Sequence, residues 1–201
     1  MEKPSDGKEL YDRLIVRPGR LLFERYAQKM EGVMKGILAA RGSAVTEDAD
    51  KKVVIIETRD SPTLAFTVYN TLAMTPKGTG LSIFASRALL PRLEKIMADI
   101  DGRVSVAVIP QIPNREVYSQ LLTNPWFWQQ VKAEKILIVQ TDSIITAPLD
   151  WDDYEGIDYI GAPWNKSRKV DIQHGAMKLS LPLNPVQEQG QNLVGNGGFS
   201  L

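Results

Sequence analysis

Four unbroken aliphatic residues, Ile136-Leu137-Ile138-Val139, give way at once to Gln140-Thr141-Asp142-Ser143. A run with no polar alternation fits a strand buried on both faces, the kind found in parallel sheets covered by helices. Val53–Ile56, Leu81–Ala85 and Val104–Ile109 are three more runs of the same kind. Helical patterns separate them. Ser61-Pro62 starts one with Leu64, Ala65, Val68 and Leu72 on its inner side, and Pro91 opens another carrying Leu93, Ile96 and Met97. Arg115 to Leu122 reads as a third until Asn124-Pro125 interrupts it, and Trp126 to Lys132 as a short fourth. Strand and helix alternating four times predict an α/β fold with a doubly wound parallel sheet. Parallel strands share a direction, so Glu57 and Asp142, at the ends of the first and fourth strands, are expected on one edge. Open α/β sheets bind their ligands along that edge.

Residues 1–50 read differently, as a helical extension and linker. Lys8 to Val16 fits a short helix, and Pro18 suits the first turn of a second. There Leu22, Tyr26, Met30, Val33 and Ile37 recur at helical spacing, with Phe23, Met34 and Leu38 beside them. From Lys8 to Arg41 eight basic residues face four acidic ones, so the helix is basic and amphipathic. Such a helix ordinarily packs its stripe on its own domain, which is the expectation here. Membrane or partner contact through residues 20–40 is the alternative. Gly42 closes the helix, and Ser43 to Lys52 reads as a polar linker.

After Thr146 the rhythm changes. Ile157 to Trp164 reads as a short strand ending in a turn, and residues 165–192 as a long polar loop. Val194-Gly195-Asn196-Gly197-Gly198 reads as a glycine turn opening a new element, so the domain is expected to continue beyond Leu201.

Composition mainly excludes. Twenty-four acidic and twenty-four basic side chains balance, so nothing implies attraction to nucleic acid. With no cysteine and one histidine, disulfides, thiolate chemistry and a conventional zinc site are ruled out. No stretch approaches the length of a membrane span and the N-terminus lacks a signal-like apolar region, which makes a cytoplasmic location the default expectation.

Asp142 is the strongest candidate for chemistry, because a carboxylate at a strand end can hold Mg²⁺ or Mn²⁺. It could equally be a turn former before Ile144. Glu57 could accept from a ribose or base and Arg59 could clamp a phosphate, or the two could simply pair with each other. The 195–198 turn would offer backbone N–H groups to an anion, though it matches neither a Walker loop nor the dinucleotide fingerprint. Trp126, Phe127 and Trp128 are expected to be buried against the sheet. Trp164 is the better candidate for a ligand face. His174 is expected to be merely exposed.

Taken in order, VVIIETR (53–59), FWQQVKAEKILIVQTDS (127–143), DYIGAPW (158–164) and VGNGGFSL (194–201) resemble the domain-of-unknown-function 5672 family. That family is similar to the GT-A class of nucleotide-sugar glycosyltransferases. The resemblance implies a Rossmann-like, mostly parallel GT-A sheet over residues 51–201, flanked by helices, with part of the domain lying beyond Leu201. It implies a nucleoside-diphosphate-sugar donor, a glycan or other hydroxyl acceptor, and Mn²⁺ or Mg²⁺ held by an Asp-x-Asp motif. Here Gln140-Thr141-Asp142 takes the motif's place. Asp142 matches the metal-binding aspartate and Gln140 replaces the other, which weakens any metal site. Glu57, Thr58, Arg59, Gln140 and Thr141 would border the nucleotide. Asn196, Gly197, Gly198 and Trp164 would face the sugar, with DYIGAPW as part of the wall. Such a transferase also needs a carboxylate base, for which Asp158 and His174 are weak candidates. The competing readings are a nucleotide-sugar or glycan-binding module without activity, and a sugar-phosphate nucleotidyltransferase.

Overall fold

The structure, a computed structural model, describes residues 12–163, 168–174, 177–183 and 194–200, with side chains from 13 to 161. Helix α1 (Arg17–Arg41) follows a π-helical turn at Asp12–Val16. Then come β1 (Lys51–Glu57), α2 (Leu64–Met74), β2 (Gly80–Ala85), α3 (Leu90–Met97), β3 (Ser105–Val108), α4 (Arg115–Leu122), α5 (Pro125–Val131) and β4 (Lys135–Val139). Four more strands follow: β5 (Gly161–Pro163), β6 (Arg168–His174), β7 (Met177–Leu183) and β8 (Val194–Ser200). The main sheet runs in the order β3-β2-β1-β4-β8-β5. The first four of these are mutually parallel, with Ile55 level with both Ile83 and Val139. Strand β8 is antiparallel to β4 and to β5. This is a Rossmann-like α/β fold with an antiparallel border.

Alternate residues of β1 feed two cores. Val53 and Ile55 face α1, α2 and α3, packing with Ala27, Leu38, Phe66 and Leu93. Val54 and Ile56 face the other way, with Phe84, Ile138 and the Phe127 and Val131 of α5. A strand buried on both sides has no use for polar alternation, which is why the aliphatic runs are unbroken.

Helix α2 is buried from Leu64 to Ala73 because α1 covers the side that the sheet does not. Its threonines survive burial by bonding back along the helix. Thr67, Thr71 and Thr75 hydroxyls donate to the carbonyls of Thr63, Thr67 and Thr71 at 3.0, 2.7 and 3.0 Å. At its carboxyl end Arg41 of α1 donates to the Leu72, Ala73 and Thr75 carbonyls, supplying partners that a helix terminus lacks. An Arg41→Met variant keeps the apolar stem but removes these bonds. It is expected to lose about 2 kcal/mol, a fall of roughly 4–8 °C in Tm. An unchanged melting curve would show the cap to be dispensable.

Several expectations need correction. Lys8–Val16 is not a separate helix in its described part, since the turn at Asp12–Val16 runs directly into α1. The inner stripe of α1 keeps Phe23, Met30, Met34 and Leu38 of the expected apolar set and adds Ala27. Ala27 is small enough for close approach to α2, whereas Leu22, Tyr26, Val33 and Ile37 are exposed. The linker is also less polar in role than in composition: Val45 is buried and bridges to Gly102. Within 165–192, β6 and β7 form an antiparallel pair instead of loop. Val170 and Ile172 stand opposite Leu181 and Leu179, and Pro182 is tolerated because a two-stranded sheet is all edge. The 195–198 glycines lie in β8, not in a turn, and only Gly161–Pro163 of the 157–164 segment is strand. Of the three neighbouring aromatics only Phe127 is buried, while Trp126 and Trp128 flank it, exposed.

Candidate functional site

Strand order 3-2-1-4 means the chain steps outward from β1 and then returns to its other side, so the switch point lies between β1 and β4. There the two strand ends are fastened together. The Thr141 hydroxyl donates to Glu57 Oε2 at 2.6 Å. Thr63, at the start of α2, donates to the Thr141 carbonyl. Asn70 of α2 holds the following segment with two bonds, accepting from Ile145 N at 2.9 Å and donating to its carbonyl at 3.0 Å. Neighbouring strand ends join in. Ser86 donates to the Thr58 carbonyl at 3.0 Å, and Ile112 N donates to the Thr58 hydroxyl at 3.0 Å.

Glu57 is buried, with partners on both carboxylate oxygens. Oε1 accepts from the Thr58 and Arg59 amides at 3.0 and 2.9 Å and from Arg59 Nε at 2.9 Å. Oε2 takes Arg59 Nη2 at 3.0 Å as well as Thr141. Burial pushes this carboxyl group up, but the bonds from Arg59 and Thr141 outweigh it and hold its pKa below the ordinary value. The glutamate thus sets the direction of the exposed Arg59, whose Nη1 makes no hydrogen bond to a described residue. Arg59's own pKa is raised, chiefly by its bond to Glu57 and in smaller part by the charge of Asp142.

A cleft of about 470 Å³ opens here, a volume that suits a small-molecule ligand. It is lined by Glu57, Thr58, Arg59, Gln140 and Thr141, so all five residues expected to border a nucleotide meet in one place. Asp142 follows directly, exposed. Strand β8 pairs Phe199 with Val139, and the same antiparallel register carries Gly198, Gly197 and Asn196 toward the Gln140 end of β4. Trp164 lies outside the described residues, as does the side chain of His174. Asp158 lies elsewhere. With Trp128, Lys135 and Tyr159 it lines a separate cleft of about 210 Å³ that shares no residue with the first.

The remaining wall comes from the β3–α4 connection and α4, through Ile112, Pro113, Asn114, Arg115 and Tyr118. Sequence reasoning missed these. Asn114 caps α4, its side chain accepting from Val117 N at 3.0 Å, and Arg115 makes no ion pair with a described residue. A helix that follows a parallel strand starts at the ligand edge, so the residues beside its cap were findable. Among the described residues no three His, Asp or Glu side chains converge to hold a metal ion. Asp142 brings a single carboxylate, and that of Glu57 is fully engaged.

The fold and cleft define a Rossmann-like α/β protein with a polar, arginine-lined pocket at its switch point. Residues 103–201 match the family described as "Protein of unknown function (DUF5672)". Three of the four resembling segments fall inside the match, and VVIIETR at 53–59 lies outside it. No curated protein matches the chain. Among solved structures, a 4-diphosphocytidyl-2C-methyl-D-erythritol synthase from Anaerococcus prevotii is similar at 9% identity and a TM-score of 0.43. That similarity covers 76% of this chain and 70% of the other.

Proposed function

We propose that this chain is a glycosyltransferase of GT-A type, transferring a sugar from a nucleoside-diphosphate sugar to an acceptor hydroxyl. The observation that carries the reading is the cleft between the ends of β1 and β4, where Arg59 and Arg115 line one pocket with Thr141 and Gln140. In this reading the base and ribose lie against Thr58, Ile112 and Tyr118. The two guanidiniums counter the diphosphate charge, which grows as the sugar departs. Asp142 and the β8 glycines stand on the sugar side. Because Glu57 fixes Arg59 before ligand arrives, little order is lost on binding.

The test is thermal stability with UDP- and GDP-sugars, run with Mn²⁺ and again with EDTA. A donor at one hundred times its Kd adds about 2.7 kcal/mol, a rise of roughly 5–10 °C. Arg59→Ala is expected to abolish the rise. No shift with any donor would sink the proposal. A second reading, a donor-binding module without transfer, is favoured by the lack of converging carboxylates among the described residues. Donor hydrolysis separates the two. Turnover lost in Asp142→Ala supports the transferase, and binding with no turnover supports the module.

A further inference from the structure

Helix α1 carries two apolar stripes and packs only one of them. Leu22, Tyr26, Val33 and Ile37 follow one line along its outer side, at 66%, 44%, 49% and 40% exposure. Leu14, Ile15 and Leu21 extend the patch toward the amino end, each more than half exposed. A line of this length, on a helix whose other side is already buried, exceeds the scattered surface apolar residues of ordinary proteins. Tyr26 lies at its edge, its ring meeting the buried Phe66 of α2 edge-on at 6.0 Å, and the rest of the line is exposed.

The charges beside the stripe have one sign. Lys29 sits within the line at helical spacing from Tyr26 and Val33, and Arg25 lies alongside; both are exposed. The helix's two glutamates, Glu24 and Glu31, are half-buried toward the packed side. Lys35 is paired with Asp99 at 2.8 Å, and Arg41 is engaged with α2. The chain as a whole is neutral, so this positive, apolar surface is a local concentration. A second copy would bring the same cations and no acid to the contact. The surface also lies along the outer side of a single helix. A planar, deformable, negatively charged layer meets both conditions: apolar side chains enter the acyl boundary while lysine and arginine stems reach the headgroups.

We propose that α1 is a peripheral membrane-docking helix that lays Leu22, Val33 and Ile37 into an anionic lipid surface, with Arg25 and Lys29 on the phosphate level. The proposal is independent of the chemistry at the pocket. Its test is co-sedimentation of the full chain with vesicles of phosphatidylcholine alone and of phosphatidylcholine with phosphatidylserine. Binding is expected with phosphatidylserine and to weaken strongly without it or at high salt. Arg25→Gln with Lys29→Gln should weaken it by about thirtyfold. Leu22→Gln with Val33→Gln should weaken it as well. All four positions are exposed, so melting temperatures should stay within a few degrees of the parent, which separates lost docking from lost folding. The proposal is overturned if the parent ignores both vesicle types or binds them equally. It is likewise overturned if neither pair of substitutions matters, or if the chain instead forms a dimer that Leu22→Gln with Val33→Gln dissolves.

Discussion

A Glu57→Gln variant is expected to lose about 3 kcal/mol at neutral pH, the scale seen when a buried, hydrogen-bonded carboxylate loses its charge. Two backbone amides, one guanidinium and one hydroxyl converge on that carboxylate, and an amide cannot receive them all. Its nitrogen would confront donors where an acceptor stood. The effect has a pH signature. Folding lowers the Glu57 pKa, so its stabilisation is complete above the ordinary glutamate range and is lost as pH falls through the lower folded-state value. Urea midpoints measured from neutral to acid pH should therefore show the gap between parent and variant narrowing toward acid. A gap that stays constant would mean that the charge of Glu57 contributes nothing. The same variant should bind donor poorly even where it is folded, because Arg59 loses its bidentate anchor.

Gly102→Ala should be at least as damaging. Gly102 has φ +112°, and a Cβ there would stand 2.0 Å from the Val45 carbonyl oxygen and 2.6 Å from its nitrogen. Neither atom can yield, because Val45 N donates to the Asp101 carbonyl and Arg103 N to that of Val45, both at 2.9 Å. The expected cost is above about 4 kcal/mol, combining overlap with backbone strain. Gly78→Ala supplies the comparison. Gly78 also has positive φ, at +81°, but a Cβ would meet nothing within 4 Å, so only about 1 kcal/mol is at stake. Equal losses in the two variants, read from denaturation midpoints, would show that the Val45 contact is not the cause.

The sheet was legible because its signal is local. Val53–Ile56 and Ile136–Val139 state their burial in four letters, and chain direction then brings Glu57 and Thr141 together with no further information. Arg115 and Tyr118 stayed hidden because their contribution depends on where α4 begins relative to the strand ends. The β6–β7 pair had a readable signal in the alternation of Val170, Ile172, Leu179 and Leu181. Pro182 and the surrounding polar residues mask it. Lys52 is a harder case. It is buried in the first strand and reaches the Val131 carbonyl at 2.8 Å, a partner seventy-nine residues away that no local pattern discloses. Which apolar line of α1 packs was hidden for a related reason. Two apolar lines run along that helix, and only the shape of α2 decides which one turns inward.

Helix α2, fully enclosed, also has a mechanical consequence. Its amino end is fastened through Thr63 to the Thr141 carbonyl at the cleft, and its carboxyl end through Arg41 to the outer helix. Between them the threonine hydroxyls find their partners within the helix itself. It acts as a strut with both ends fixed and no solvent face along which to slip. The outer helix and the floor of the cleft are thus joined through one enclosed helix.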